Sequence, residues 1–150
     1  MTTPEAPATD GLTTPDLMHI SRLVSRLCQA LDYSRPRDFA GLFTPNGVYQ
    51  GLSSVATGEQ PRFRHHGATE LLAFAEAAVA KRKGLGRHWT GNLVIDGSGD
   101  AATATSYVLF IEIDPATKER RITISGTHRD EFVRAATGWL FASRTVVADI

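Results

Sequence analysis

The order of the elements along the chain predicts an α+β fold, with a curved antiparallel sheet and three helices packed on its concave face. Helical apolar spacing dominates the first half of the chain, and long segments rich in β-branched and aromatic residues dominate the second half. The length of 150 residues suits a single domain. Helices that close one side of a curled sheet leave a conical pocket, and such pockets are the usual sites for small ligands.

The first predicted helix follows a stretch rich in Thr, Pro and Ala. Residues 1–13 carry too little apolar surface to order themselves, which predicts a disordered N-terminal tail and a folded domain over residues 14–150. Thr14 suits the helix cap and Pro15 the first helical position. Apolar residues then recur three and four positions apart, which predicts one buried face on a helix that ends near Asp32. These apolar residues are Leu17, Ile20, Val24, Leu27 and Leu31.

Shorter elements follow the first helix. Residues 36–43 predict a second, short helix that begins with a proline, and residues 44–47 have the Pro-Asn-Gly composition of a turn. Residues 48–52 predict a first strand, and the polar stretch 53–66 predicts a loop. Residues 68–82 are rich in Ala, Leu and Glu, which are strong helix formers, and predict the third helix.

The remainder of the chain is predicted to be β-structure. Residues 88–95 form a strand that is closed by a Gly- and Asp-rich turn over residues 96–100. Residues 101–113, 121–134 and 139–147 predict three more strands, joined by short connections. Long strands with short connections favour an antiparallel meander.

Composition and charge argue against several classes of partner. Sixteen basic and sixteen acidic residues give a formal net charge of zero, whereas binding to nucleic acid or to a membrane surface favours a basic surplus. The single cysteine, Cys28, excludes an internal disulfide, and its place in an apolar helical pattern predicts a small buried side chain. The chain has no signal-peptide pattern and no apolar run of membrane-spanning length, so a cytoplasmic location is expected.

Three stretches of the chain resemble the SnoaL-like group of the nuclear transport factor 2-like superfamily. They are ALDYSRPRDFAGLFTPNGVY, RHWTGN and GTHRDEFVRAATGWLFASRTVV. The resemblance covers residues 15–149 and implies a cystatin-like α+β barrel. It leaves the reaction open, because the superfamily includes dehydratases, isomerases, polyketide cyclases and non-catalytic binders.

Two enzyme types of that group, scytalone dehydratase and hexachlorocyclohexane dehydrochlorinase, are similar to this chain at two positions. Both have an Asp at the end of the first long helix and a His at the start of the strand after the third helix, which correspond to Asp32 and His88. The resemblance implies a His base, oriented by the Asp, that removes a proton. The chain departs from both types elsewhere. Leu27 stands where the dehydrochlorinase type has a Lys, and Leu109-Phe110-Ile111 stands where the dehydratase type has a second pocket His.

The implied pair has a clear chemical rationale. A carboxylate bonded to one ring nitrogen of His88 leaves the other nitrogen free as a base and stabilises the imidazolium that forms. The alternative is that Asp32 is a surface carboxylate at a helix end and His88 is a satisfied histidine within a strand. Trp89 alternates to the opposite face of the strand and therefore points away from any pocket that His88 faces.

Other side chains are predicted to contact the substrate. Tyr49 is a catalytic candidate that could polarise a carbonyl or hydroxyl group, and the dehydratase resemblance implies tyrosines in the regions of both Tyr33 and Tyr49. The alternative for both tyrosines is packing at the cavity rim. His128 either reaches the pocket mouth or has a structural role. The predicted substrate-binding residues are Tyr33, Phe43, Tyr107 and His128.

Two further groups are interpreted as structural. Register across the terminal hairpin predicts that Asp130 or Glu131 pairs with Arg144. Adjacent His65 and His66 lack metal-ligand spacing and are flanked by arginines, so no metal is expected there. The chain also has no flavin, nicotinamide or phosphate-loop motif, so no cofactor is expected.

The leading prediction is a cofactor-independent lyase or isomerase of dehydratase or cyclase type, acting on a small, largely apolar, aromatic or polyketide-like molecule. Its pocket is expected between the first helix, the third helix and the sheet. The competing prediction is a non-catalytic binding or assembly module that resembles the small subunit of ring-hydroxylating dioxygenases. A homodimer or homotrimer is expected in either case, because an outer sheet face bearing Trp89 and Trp139 would otherwise expose apolar area.

Overall fold

A computed structural model of the protein describes residues 11–55 and 58–150. Positions 1–10 of the predicted disordered tail lie outside the described residues. The described part contains three helices and six strands. In chain order they are α1 (Thr14–Asp32), α2 (Pro36–Gly41), β1 (Phe43–Val55), β2 (Gly58–His66), α3 (Gly67–Arg82), β3 (Gly86–Ser98), β4 (Ala101–Ile113), β5 (Arg120–Ala135) and β6 (Gly138–Asp149).

The strands form one curved, unclosed sheet in the order β2-β1-β6-β5-β4-β3. The predicted meander from β3 to β6 is confirmed, because each of these strands pairs antiparallel with the next. The one exception to the antiparallel prediction is β1, which pairs parallel with β6. Helices α1 and α2 precede β1 in the sequence, and α3 lies between β2 and β3. Helices α1 and α3 pack against the sheet. The α+β fold class is therefore confirmed.

Helix α1 carries the apolar face that its spacing predicts, and Ile20, Val24 and Leu27 are almost fully buried. The cap differs from the prediction by one residue: Thr13, not Thr14, accepts the hydrogen bond from the backbone N–H of Asp16. Asp16 in turn accepts from Thr13, which completes a capping box. The start of the helix is therefore held by its own side chains.

Asp16 also connects α1 to the terminal hairpin. Its Oδ1 accepts from Nε1 of Trp139 at 2.9 Å and from Nη1 of Arg134 at 2.8 Å. The Arg134 hydrogen bond, followed by those of Trp139 and Thr13, holds the pKa of the Asp16 carboxyl well below its usual range. Trp139 is thus buried beneath α1 (2% exposed), which corrects the expectation that it lies on the outer face of the sheet.

The burial of Trp139 follows from an irregularity in the terminal hairpin. Phe132 pairs with Phe141, but the next pair is Glu131 with Ser143, so β6 has one additional residue at Ala142. This bulge reverses the alternation of side chains along β6. Trp139 and Phe141 before the bulge and Arg144 after it are therefore all buried, although their spacing alone does not place them on one face.

The predicted loop over residues 53–66 is wrong. Residues 53–55 continue β1, and Gly58–His66 form β2, which pairs only with β1 and is the edge of the sheet. Nearly all of its side chains are exposed, and Pro61 lies at a shift in the register. A polar strand with a proline is typical of a sheet edge, where one side of the backbone is unpaired. Among the described residues, no helix is long and apolar enough to cross a membrane.

Candidate active site

Asp32 and His88 are in direct contact. The Nδ1 atom of His88 lies 2.6 Å from Oδ1 of Asp32, and the backbone N–H of His88 donates to Oδ2 of the same carboxylate at 2.9 Å. Both carboxylate oxygens of Asp32 therefore bond to His88. The side chains are only 5% exposed for Asp32 and 10% exposed for His88, so this contact is largely shielded from water.

Two element ends bring the pair together. Asp32 is the last residue of α1, and Tyr33 in the next position caps the helix. His88 lies near the start of β3, where it pairs across the sheet with Phe110 of β4. The ring centroids of His88 and Phe110 are 4.7 Å apart, so Phe110 supports one side of the imidazole. The imidazole is thus oriented by a carboxylate and by an aromatic ring.

This geometry determines the tautomer of neutral His88. A carboxylate only accepts hydrogen bonds, so the Nδ1 atom facing Asp32 carries the proton and Nε2 keeps its lone pair. Within the described part of the chain, Nε2 makes no hydrogen bond. His88 lines a cavity, and a histidine held in this way has the arrangement of a general base.

The cavity lies between α3 and the concave face of the sheet and has a volume of about 130 Å³. This volume is close to the roughly 150 Å³ of a cavity that binds benzene, so a ligand larger than one ring must extend through the mouth. Helix α1 does not line this cavity, in contrast to the prediction. Leu27, Cys28 and Leu31 of α1 instead line a smaller cavity of about 10 Å³, which shares Tyr49, His88 and His128 with the larger one. The residues that line the larger cavity are Tyr49, Gly51, Leu52, Arg62, Phe63, Phe74, Arg82, His88, Val108, Phe110, Ile124, His128, Val146 and Ala148.

Tyr49 lines the cavity as expected for a catalytic candidate. Its ring packs against Phe39, Phe63 and Phe74, with centroid separations of 5.4, 5.5 and 4.8 Å. Burial raises the pKa of Tyr49 to about 12, so the phenol keeps its proton at neutral pH. Tyr49 is therefore a neutral hydrogen-bond donor at the same cavity as His88.

His128 also lines the cavity, next to Ser106, its partner in the β4–β5 pairing. The side chain is buried, and neither its Nδ1 nor the hydroxyl of Ser106 has a hydrogen-bond partner among the described residues. Burial, followed by the charges of Arg144 and His88, holds the pKa of His128 well below its usual value. His128 is thus a neutral imidazole with unused hydrogen-bonding capacity.

Three predicted substrate contacts lie outside the cavity. Tyr33 is 55% exposed and lies beneath the guanidinium groups of Arg35 and Arg87. Tyr107 is 62% exposed on the outer face of the sheet, near Trp89. Phe43 is buried in the core, where its ring packs against Phe39 and Phe141. Neither tyrosine is brought to His88, and Phe43 supports the core behind Tyr49.

Sequence reasoning missed two arginines that line the cavity. Residue 82 is the last position of α3, where a basic side chain is explained by the negative helix end. In the structure, the Arg82 guanidinium lies 4.4 Å above the Phe110 ring. Arg62, placed by prediction in a loop, lines the same cavity from β2. Only the alternation of β2 could have indicated Arg62, and that strand was not predicted.

Asp130 and Arg144 form a second carboxylate pair, as the register predicts. Nε and Nη2 of Arg144 each donate to a carboxylate oxygen at 2.7 Å. Burial works against ionisation of the guanidinium, but the attraction of Asp130 outweighs it and raises the pKa of Arg144. Nη1 of Arg144 contacts the sulfur of Cys28 at 3.7 Å, and burial raises the pKa of that thiol. The expectation that Cys28 is a buried residue is confirmed.

The described residues contain no group of three or more His, Cys, Asp or Glu side chains that could hold a metal ion. His65, one of the adjacent histidines, packs against Phe74 with the ring centroids 4.8 Å apart.

The chain belongs to the SnoaL-like domain family, whose profile matches residues 13–145. This confirms the resemblance found in the sequence. No curated protein matches the chain significantly. The family assignment therefore establishes the class of fold and leaves the reaction to the chemistry of the site.

Several solved structures are similar to the chain along most of its length. ActVI-ORFA from Streptomyces coelicolor has 26% identity and a TM-score of 0.72, with 89% of this chain and 97% of that chain covered. A Catenulispora acidiphila structure in complex with S-DNPA has 25% identity and a TM-score of 0.73, covering 91% and 95%. A beta subunit assigned to an aromatic-ring-hydroxylating dioxygenase of Novosphingobium aromaticivorans has 24% identity and a TM-score of 0.71, covering 87% of each chain.

Proposed function

We propose that the protein is a cofactor-independent lyase or isomerase, of dehydratase or cyclase type, that removes a proton from a small molecule bound in the cavity. Asp32 orients His88, and Nε2 of His88 is the base. Tyr49 donates a hydrogen bond to the oxygen on which charge develops. One solved relative, the Catenulispora acidiphila structure, is in complex with S-DNPA, which supports a small-molecule ligand for this chain.

One observation carries this proposal. The 2.6 Å contact between Nδ1 of His88 and Oδ1 of Asp32 leaves the opposite ring nitrogen without a partner among the described residues, at a cavity of about 130 Å³. The same carboxylate stabilises the imidazolium that forms after proton transfer. A positioned base of this kind contributes about 10²–10⁴-fold to a rate.

The competing function is a non-catalytic binding or assembly module. That function predicts separated Asp32 and His88 side chains or a cavity filled by side chains. The hydrogen-bonded pair and the open volume of about 130 Å³ favour the enzyme.

A generic proton-abstraction reaction tests the base without knowledge of the natural substrate. In 1,2-benzisoxazole, removal of the proton on C3 forms a nitrile from the C–N bond, breaks the N–O bond and releases 2-cyanophenolate. The proton passes to His88, and the phenolate is followed by its absorbance. We expect the wild-type protein to accelerate this ring opening above the buffer rate, with saturation as the cavity fills.

Substitution of the base identifies its source. His88→Gln should lower the protein-catalysed rate by at least about 100-fold while the circular dichroism spectrum and the melting temperature stay close to wild type. His66→Gln is the matched control, since His66 is exposed and does not line the cavity. Equal rates for the wild-type protein and His88→Gln, or no acceleration by the wild-type protein, would contradict the proposal.

We also infer self-association as a homodimer or homotrimer through the outer sheet face. Trp89 is 69% exposed there, beside Tyr107, and together they line a shallow depression. Exposed aromatic area of this kind favours burial against a second copy. Native mass measurement should give a dimer or trimer, and Trp89→Ser should shift it towards the monomer. A monomeric wild-type protein at micromolar concentration would overturn this inference.

A further inference from the structure

The charge that faces the cavity is of one sign. Among the described residues, its lining includes two arginines, Arg62 and Arg82, and no Asp or Glu. The two histidines in the lining, His88 and His128, add no negative charge. A cleft that is lined by one sign of charge and has low-dielectric walls concentrates ligands of the opposite sign.

The nearby carboxylates are already engaged. Both oxygens of Asp32 accept from His88. Both oxygens of Asp130 accept from Arg144. Within the described residues, therefore, neither carboxylate is free to balance Arg82.

Arg82 itself is partly buried and incompletely satisfied. Its Nη1 atom is shielded from solvent and has no hydrogen-bond partner among the described residues. Its guanidinium lies 4.4 Å above the ring of Phe110, and the His88 ring packs against the same ring, with the centroids 4.7 Å apart. A buried N–H group without an acceptor is destabilising, and a ligand oxygen would satisfy it.

We propose that the cavity binds a ligand with an acidic oxygen, as a carboxylate or as an enolate or phenolate, and that Arg82 holds this oxygen beside His88. The inference names the ligand class of the proposed active site and rests on that proposal only for the role of His88. Arg62 adds a second positive charge at the cavity. A guanidinium matches a carboxylate through two parallel N–H donors, and it also stabilises an oxyanion that forms when a neighbouring carbon loses its proton.

Two probes of nearly the same shape, one anionic and one neutral, test the ligand class. Benzoate and benzamide share one ring, which is close to the size of the cavity, and a planar head group that can lie towards its mouth. By isothermal titration at low ionic strength, we expect the wild-type protein to bind benzoate at least about tenfold more tightly than benzamide. Added salt should weaken the binding of benzoate and leave benzamide largely unaffected.

Variants at residues 81 and 82 test whether the preference for benzoate comes from Arg82. Arg82→Gln should remove the preference for benzoate, and Arg82→Lys, which keeps the charge, should retain part of it. Lys81→Gln is the matched control, since it removes the same charge from an exposed neighbour that does not line the cavity. Because Arg82 also packs on Phe110, the melting temperature of each variant is measured first, and Arg82→Lys decides the case if Arg82→Gln does not fold.

The outcome separates this inference from the proposed function. His88→Gln should lose benzisoxazole ring opening and keep its preference for benzoate. Equal wild-type affinities for the two probes, no binding of benzoate, or a preference that survives in Arg82→Gln would overturn the ligand class. None of these results would alter the test of His88 as a base, which uses a neutral substrate.

Discussion

Two carboxylate pairs in this molecule have similar short distances and different surroundings. Asp130 and Arg144 share two hydrogen bonds of 2.7 Å, and both side chains are at most 2% exposed. Asp32 and His88 share contacts of 2.6 and 2.9 Å, and the imidazole is 10% exposed at a cavity. Arg144 uses its remaining nitrogen on Cys28, whereas His88 keeps one nitrogen unused within the described chain.

The difference indicates which pair is structural and which is available for chemistry. In the Asp130 pair, both carboxylate oxygens and all three guanidinium nitrogens have a contact, so the pair joins β5, β6 and α1. In the Asp32 pair, the carboxylate leaves one ring nitrogen able to accept a proton. A satisfied pair contributes to folding, and an unsatisfied one can react.

The largest expected effect comes from breaking the satisfied pair. Asp130→Asn or Arg144→Met alone should lower the free energy of unfolding by about 3–5 kcal/mol, because each leaves a buried group without its partner. Urea denaturation followed by circular dichroism measures this loss. The double variant Asp130→Leu/Arg144→Met should recover much of it. A change below about 1 kcal/mol in both single variants would contradict a structural role for the pair.

The next effect concerns Asp32 and His88, the pair proposed to act in catalysis, and is expected to affect rate more than stability. Asp32→Asn should lower the rate of benzisoxazole opening by about 100-fold, equivalent to about 2.7 kcal/mol, because an amide neither enforces the tautomer nor stabilises the imidazolium. Its loss of unfolding free energy should be smaller than that of Asp130→Asn. Asp38→Asn, an exposed carboxylate in α2, is the control and should react at the wild-type rate. The reverse order of effects would invalidate the comparison.

A third effect arises from His128, which lines the cavity and has no carboxylate partner within the described part of the chain. Its pKa is well below 6.5 in the folded protein, so below pH 6.5 the unfolded chain binds a proton that the folded chain does not. The free energy of unfolding should therefore fall as the pH decreases from about 6.5 to 5, by up to about 1.4 kcal/mol per pH unit. His128→Leu should flatten this part of the profile; identical slopes for both proteins would show that His128 does not titrate in this way.

The smallest effect is expected for an exposed pair. Glu59 of β2 accepts two hydrogen bonds from Arg129 of β5, with Oε2 at 3.1 Å from Nη1, but the side chains are 37% and 51% exposed. Glu59→Gln should change the free energy of unfolding by less than about 1 kcal/mol, and by less still in high salt. A loss comparable to that of Asp130→Asn would show that burial does not distinguish these pairs.

Elements with a strong local pattern could be predicted from the sequence. The three- and four-residue spacing of apolar side chains indicated α1 to its last residue, and β-branched runs indicated β3 to β6 to within three residues at each end. Strand β2 was missed because Phe63 is the only large apolar residue among nine mostly exposed positions. Its existence depends on pairing with β1, which is not a local property.

The site was predictable in part. Asp32 and His88 were indicated by resemblance, and alternation along β3 correctly separated His88 from Trp89, which is 69% exposed. Arg82 was not recognised, because a basic residue at the end of a helix already has a local explanation. Trp139 was misplaced, because a single extra residue at Ala142 reverses the side-chain alternation of β6.

The sequence by itself determined the class of fold and the approximate bounds of most elements, because apolar periodicity matches the repeat of a helix or a strand and is read over a few neighbouring residues. Only the tertiary structure decided which polar groups meet. Asp32 and His88 are 56 positions apart, and Asp16 and Trp139 are 123 apart. Contacts over such separations depend on strand register, on the Ala142 bulge and on the packing of α1 and α3, none of which is encoded in a local pattern.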